Sequence, residues 1–404
     1  MTEENNLLIN KHILLCLDID TKLDEYLNAE LEHIKQNFCG YVFNNITDFN
    51  EHIYDQNVII YLCGDIKKYY TSVKILDYLI CVIKDFSYNY DDDCKLIDIG
   101  CVPINIKNIG VYFRNFFDHD TNYFNLISNE HKFQSLTESN KQSNAFRTGI
   151  YLTKVKQNDQ DLKFNLLRCS SNLAGATDNL RDTDNYIINK VNNTCKYFFE
   201  TKVELNHVLA QIYENKIIDG DEKKAKISQH SDKTKDMPKN GLIAFCTFYK
   251  DITNIKKLKT DYFDYFYKET SVLTKIRFRL KKMVDNPKLE KIVDISLYPN
   301  SVFIISLMMN RLYTHEIIPS GLPIDKLPIR LGYVIRCSNK NAIFRNEQTY
   351  IVDKDNIIKL EKPDEVGVVK LKEFYYKENT TDELITYDNF YFSLNSGDYK
   401  QPNM

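Results

Sequence analysis

Apolar positions fall into two rhythms along this chain. Up to residue 107, "HILLCLDI" and "VIIYLCGD" are apolar runs of strand length that stop at acids or glycine. Between and after them, "LDEYLNAELEHIKQNF" and "YYTSVKILDYLICVIKDF" carry apolar residues at helical spacing. Residues 1–107 are therefore expected to form a small α/β region. A second unit opens near residue 108, with "IGVYFRNFFDHD" as an apolar-aromatic strand and "TNYFNLISNEHKF" as a helix. "QSLTESNKQSNAFRTG" is polar and loop-like. "DTDNYIINKVNNTCKYFF" and "TKVELNHVLAQIY" have helical periodicity, the second turning extended near its end.

Strands then dominate: "KAKISQHSD", "GLIAFCTFY", "TKIRFRLKK", "KIVDISLY", "SVFIISLM" and "IRLGYVIRCS". Short strands with polar turns and no helices between them indicate an antiparallel sandwich or barrel. The tail from about residue 345 is charged, with two or three short strands and a disordered end expected. There is no internal repeat and no extended low-complexity segment.

At 404 residues the chain can bury a large core, and its 43% hydrophobic and 27% charged residues are ordinary for a globular protein. No apolar run of about 18 residues is present, so no membrane span is expected. "MTEENNLLINKH" is acidic and polar and does not read as a signal peptide. Ten cysteines without any C-x-x-C argue against zinc-ribbon and thioredoxin-type sites. The expectation is reduced thiols in a cytoplasmic or nuclear setting. A net charge of −3 gives no global pull towards nucleic acid, which would need a local basic face.

"CLDID" (16–20) invites a phosphatase-like aspartate reading, but no companion motif follows and a strand ending in a turn suffices. Asp91–Asp93 reads as a solvated loop, and His207 and His119 as ordinary fold residues. "KISQHSDKTKD" differs. His230 and Asp232 sit one residue apart, so both side chains can point the same way on an extended backbone. With eight histidines and 56 acids in the chain, roughly one His-x-Asp/Glu arises by accident, and His230 begins the one instance. The pair must be judged by its neighbours. His315 follows 85 residues later (315 − 230), in a similar apolar-to-polar transition past an expected hairpin. Two histidines and a carboxylate suit a facial triad that leaves three iron positions open, where a co-substrate and O2 bind side by side.

"RLGYVIR" then places Arg330 and Arg336 six residues apart, on one face of a strand and about 20 Å apart along the backbone. The planar arginine fork matches a carboxylate, and two inward arginines on an apolar strand are costly without anions to pair them. A solvent-exposed face is the alternative.

The order His-x-Asp, distal His, Arg-x5-Arg resembles the Fe(II)/2-oxoglutarate dioxygenases, most closely the AlkB-type branch. That branch carries R-x-N-x-T-x-R after its second histidine; here Gly332 stands for the Asn and Val334 for the Thr. Its N-x-Y element before the H-x-D is matched by Gln211 and Tyr213 in "QIY", with Gln in place of Asn. "HSDKTKD" resembles the family's histidine-x-aspartate loop, and "GVYFRNFFDHDTNYFNLI" its opening strand and first helix. The likeness covers roughly residues 108–345.

It implies an α+β chain with a double-stranded β-helix (jelly-roll) catalytic domain and flanking helices over 108–345, preceded by the α/β region 1–107 and followed by an extension, 346–404. It implies that His230, Asp232 and His315 hold Fe(II) and act in catalysis, and that Arg330 binds the distal carboxylate of 2-oxoglutarate. Arg336 would lie near the iron end, Tyr213 would give a hydroxyl to the co-substrate, and Gln211 would line the same site. The implied chemistry consumes O2 and 2-oxoglutarate, releases succinate and CO2, and hydroxylates a substrate C–H bond; a hydroxylated N-methyl group collapses to formaldehyde and free amine.

An alkylated nucleobase is the expected substrate. Nucleic acid would be contacted through residues 254–282, where "NIKKLKT" and "TKIRFRLKK" set basic residues around aromatics, and through a 131–149 loop. Alternation in "TKIRFRLKK" equally describes a half-exposed strand. The alternatives are a prolyl or lysyl hydroxylase of the same chemistry and an inactive interaction protein on this fold, against which the intact His230, Asp232 and His315 count.

Overall fold

The computed structural model describes residues 12–17, 23–51, 58–72, 79–86, 95–137, 144–200, 203–354 and 356–404. It divides into two compact units, residues 1–116 with 193–202, and residues 117–192 with 203–404.

The first unit holds a parallel sheet of β1 (His12–Leu17), β2 (Tyr41–Phe43), β3 (Ile59–Gly64), β4 (Leu79–Asp85) and β5 (Lys95–Leu96), in the order β2-β1-β3-β4-β5. Every residue of β1 and β3 is buried, the mark of parallel strands covered on both faces. The helix Glu25–Asn37 begins where the Asp24 side chain accepts a hydrogen bond from the Leu27 amide at 2.8 Å, and it buries Leu31 and Ile34. "LICVIKD" is the strand β4 rather than the end of a helix; the helix before it spans Ile66–Ser72. A short apolar run has no period to tell the two apart, and parallel pairing with β3 decided it. Asp18, Asp20 and Asp91–Asp93 lie outside the described residues.

The second unit is mostly antiparallel. Its strands are β6 (Asn144–Thr153), β7 (His207–Tyr213), β8 (Ile227–His230), β9 (Leu242–Tyr249), β10 (Lys275–Leu280), β11 (Ile292–Ser296), β12 (Ser301–Ser306), β13 (Tyr313–Ile318) and β14 (Arg330–Arg336), with further short strands. One sheet runs β6-β7-β14-β9-β12 and another β8-β13-β10-β11. The two face each other through aromatic rings. Phe245 on β9 meets Phe278 on β10 at 6.4 Å and His315 on β13 at 5.4 Å, and Phe303 on β12 meets Phe278 at 5.6 Å. The chain is thus mixed α and β, with the α/β character of the N-terminal region and antiparallel sheets beyond it.

Several segments depart from their sequence rhythm. "HVLAQIY" is the strand β7, buried at all seven positions, so neither helical nor strand period could show. The polar stretch after residue 133 contains the strand Gln134–Thr137 and the start of β6; residues 138–143 lie outside the described residues. Between β12 and β13 stands a one-turn helix, Leu307–Leu312, capped by Ser306, where a hairpin was expected. The largest correction is the tail. After strands Gln348–Asp353 and Asn356–Lys359, the helix Glu365–Thr380 is capped by Asp364 and buries Leu371, Tyr375 and Glu378. Phe390 and Phe392 are buried, and their carbonyls accept hydrogen bonds from Arg168, which also grips Asp236 at 2.9 and 2.7 Å. Among the described residues no helix is long and apolar enough to cross a membrane.

Asp236 and Arg168 are both buried, so removing one leaves an uncompensated charge. Asp236→Ala is expected to cost about 3–5 kcal/mol in urea unfolding; a change under about 1 kcal/mol would show that the pair is dispensable. Burial, with Arg336 nearby, lowers the His207 pKa to about 3. The unfolded chain protonates this residue near pH 6.5 and the folded chain only near pH 3. Stability from this group is therefore complete above about pH 6.5 and is lost as pH falls towards 3. In His207→Gln the acid limb of the stability profile should be shallower; an unaltered slope would contradict the burial of a neutral imidazole.

Candidate metal and co-substrate site

Antiparallel pairing of β8 with β13 sets His230 directly opposite His315, with ring centroids 4.4 Å apart. β8 ends at His230, and the next two residues turn inward. The Asp232 amide donates to Asn310 Oδ1 at 2.9 Å while Asn310 Nδ2 donates to the Asp232 carbonyl at 3.0 Å, so the one-turn helix fixes the loop. His230 Nδ1 lies 2.8 Å from the Ser228 carbonyl. That carbonyl can only accept, which assigns the proton to Nδ1 and leaves the Nε2 lone pair facing Asp232 Oδ1 at 3.8 Å. One donor atom from each of His230, Asp232 and His315 lies within 4.8 Å of the other two.

The protonation states suit a cation. Burial pushes the Asp232 carboxyl up, but the Arg336 guanidinium, which donates to both its oxygens at 2.8 and 3.0 Å, outweighs burial and holds it well below the usual carboxylate range. Burial, reinforced by His230, lowers His315 to about 3, and burial lowers His230 as well. Two neutral imidazoles and an ionised carboxylate are the ligating forms. His315 Nδ1 is buried with no hydrogen-bond partner.

A cavity of about 650 Å³ opens from these three residues onto the inner face of the β6-β7-β14-β9 sheet. Strand register sets two rows on this sheet, Arg147, Tyr213, Arg330 and Tyr249, then Gly149, Gln211, Gly332 and Thr247, of which all but Tyr249 and Gly149 line the cavity. The Arg330 guanidinium stacks 3.8 Å above the Tyr213 ring. Its Nε and Nη2 are buried without hydrogen-bond partners, and so is Thr247 Oγ1. The Tyr213 hydroxyl donates to Gln211 Oε1 at 3.4 Å. Arg336, at the other end of β14, stands on Asp232 instead. Gly332 has a local reason: a Cβ there would come within 2.9 Å of Arg330 Nη1 and 3.3 Å of Tyr213 Cε2. The space where a side chain would sit holds the stacked guanidinium.

Thr247 and Arg147, and the lining residues of the C-terminal helix, escaped sequence reasoning. Thr247 is the one aliphatic hydroxyl in a fully buried strand of apolar and aromatic residues, which is a signal in the sequence. Arg147 lies in a polar segment and gave none. The residues on either side of Asp232 are structural. The Ser231 amide and Lys233 Nζ both donate to Asn379 Oδ1, at 2.9 and 2.7 Å, and Thr234 bonds Glu378. Within segment 254–282, Arg277 pairs with Asp294, Arg279 with Glu316, and Lys281 donates to the Glu378 and Thr381 carbonyls, while Lys256, Lys257, Lys259, Lys268, Lys275 and Lys282 are exposed.

A second group, Glu130, His131 and Asp184, also lies within metal-ligating reach. Both His131 nitrogens are taken, by Asp178 and Asp184 at 2.8 Å each. Burial lowers His131, but the two carboxylates outweigh it and raise the pKa to about 9, an imidazolium with no lone pair to offer.

No family model matches the chain, and no curated protein matches it. Among solved structures it is similar to a non-heme alpha-ketoglutarate-dependent epimerase, SnoN from nogalamycin biosynthesis, at 10% identity and a TM-score of 0.26, over 41% of this chain and 61% of that one. It is also similar to OsALKBH1, at 12% identity and a TM-score of 0.30, over 56% of this chain and 97% of that one. The chain thus spans less than two thirds of the epimerase's length. These two neighbours are an alpha-ketoglutarate-dependent epimerase and an AlkB homologue. The case for this site rests on its own geometry.

Gly332→Ala places a methyl group against the Arg330 guanidinium. Circular dichroism should stay native while affinity for a dicarboxylate, read by calorimetry, falls about tenfold; unchanged affinity would mean that the stacked position of Arg330 does not matter.

Proposed function

We propose that this chain is an Fe(II)- and 2-oxoglutarate-dependent oxygenase whose catalytic domain is a double-stranded β-helix. The topology supports the fold reading. Counting β7 to β14 as eight strands, the first, eighth, third and sixth form one sheet, and the second, seventh, fourth and fifth the other. The observation that carries the function is the pairing of two features in one cavity: three donor atoms within 4.8 Å, and, beyond them, a buried arginine with unpartnered nitrogens.

His230, Asp232 and His315 would hold the iron. Two nitrogens and one oxygen leave three positions open, as a facial triad does. Arg330 and Thr247 carry buried donors without hydrogen-bond partners in the cavity wall, so they would take the distal carboxylate of 2-oxoglutarate. Tyr213 would lie beside it, its ring keeping the Arg330 guanidinium in place. Arg336 fixes Asp232 and keeps it ionised, a positioning role. Gln211 lines the same wall between Gly149 and Gly332. With Fe(II), 2-oxoglutarate and O2 bound, such a site supplies oxidative decarboxylation to succinate and CO2 together with hydroxylation of a substrate C–H bond.

An alkylated nucleobase is the substrate this reading favours, with release of an N-methyl group as formaldehyde. Among the described residues the cavity lining carries five cationic side chains, Arg147, Lys233, Arg330, Arg336 and Lys372, and one acid, Asp232, with Arg336 paired to Asp232 and Lys233 bonded to Asn379 and the Tyr375 carbonyl. That balance opposes the cationic side chain a lysyl hydroxylase would admit.

Aerobic succinate formation from 2-oxoglutarate with added Fe(II) tests the reading. His230→Ala, His315→Ala and Arg330→Met should each reduce it at least about 100-fold. A wild-type protein that is folded and iron-supplied but forms no succinate would refute the assignment.

A further inference from the structure

The loop that carries Asp232 leaves β8 at His230, and residues 231–234 lie outside any strand. Its amides are met by side chains from elsewhere. Asn310 takes the Asp232 amide, while two others go to the last turn of the C-terminal helix, Glu365–Thr380. The Ser231 amide donates to Asn379 Oδ1 at 2.9 Å, and the Thr234 amide to Glu378 Oε1 at 3.0 Å. Asn379 Oδ1 also accepts from Lys233 Nζ at 2.7 Å, and the same ammonium reaches the Tyr375 carbonyl at 3.2 Å. One oxygen atom thus holds both sequence neighbours of Asp232. Ser231 and Lys233 are only 1% and 6% exposed, so solvent is a poor substitute for that oxygen.

The helix is fastened in turn to what surrounds the loop. Lys281, directly after β10, donates to the Glu378 and Thr381 carbonyls at 2.5 and 3.1 Å, and the Thr234 hydroxyl donates to Glu378. Leu371 and Tyr375 pack with Phe390 and Phe392 in one apolar cluster. Undocking the last helical turn would strip acceptors from Ser231, Lys233 and Thr234 together, and Asp232 lies among them. A ligand that needs Asp232 in place therefore favours the docked helix, and by thermodynamic reciprocity the docked helix favours that ligand equally.

We propose that Asn379 is a positioning residue for the metal, its side-chain oxygen linking the docking of the C-terminal helix to occupation of the His230–Asp232–His315 site. This rests on the reading of those three residues as a metal site, but not on the reaction run there.

The test uses the full chain and Fe(II) alone, under anaerobic conditions. Calorimetry should show Fe(II) affinity about tenfold weaker in Asn379→Leu, which keeps the bulk and loses the acceptor. Asn379→Asp keeps an acceptor oxygen and should stay within about threefold of wild type. Hydrogen exchange of the wild type, read by mass spectrometry, should slow about tenfold over residues 376–380 when Fe(II) saturates the site, with no change in the helix Glu25–Asn37. That arm needs no variant that could fail to fold. A folded Asn379→Leu with wild-type affinity, an Asn379→Asp as weak as Asn379→Leu, or wild-type exchange indifferent to bound Fe(II) would each overturn the proposal and leave the oxygenase reading standing. A wild type that binds no Fe(II) would overturn both. Linked Fe(II) binding and exchange without succinate formation from 2-oxoglutarate would overturn the oxygenase reading alone.

Discussion

A carboxylate buried at Asp232 is the constraint around which the second unit is arranged. An isolated buried ion costs several kcal/mol, and here the compensating charge is Arg336, brought in from the far end of β14. That reach works because β14 lies between β7 and β9 at the centre of its sheet, which sets Arg336 opposite His207 on one side and Ile243 on the other. The guanidinium in turn disfavours charge on His207 and His315. One ion pair thus leaves an ionised carboxylate beside neutral imidazoles.

The loop carrying that carboxylate is held from two sides. Asn310 clamps the Asp232 backbone from the one-turn helix, and Asn379 clamps its neighbours from the C-terminal helix. Arg168 then ties Asp236, four residues on, to the last segment of the chain. The C-terminal extension is consequently part of the site's framework. Binding groups supported in this way need little reorganisation when a ligand arrives.

Much of the site was legible in the sequence because its elements were ordered by chemistry rather than by period. His230, Asp232, His315, Arg330, Arg336, Tyr213 and Gln211 were all singled out, and all seven line one cavity. The strands from residue 227 to 336 were legible as well, since polar turns interrupt apolar runs. β7 is buried at all seven positions and β4 at its three central ones in a row, so neither shows the alternation that identifies a strand. The tail was misread because its charged residues conceal a helix that buries only Leu371, Tyr375 and Glu378. The Asp364 cap was the available clue. Arg147 entered the site only through register, one strand over from Tyr213, a relation that sequence distance hides.

The most direct measurement is an anomalous difference map from crystals grown anaerobically with Fe(II) and 2-oxoglutarate. The account predicts one protein-bound iron peak, about 2.0–2.2 Å from a nitrogen of His230, a nitrogen of His315 and an oxygen of Asp232, with a dicarboxylate reaching Arg330. A peak at Glu130, His131 and Asp184, or none at the His230–Asp232–His315 cluster, would contradict it.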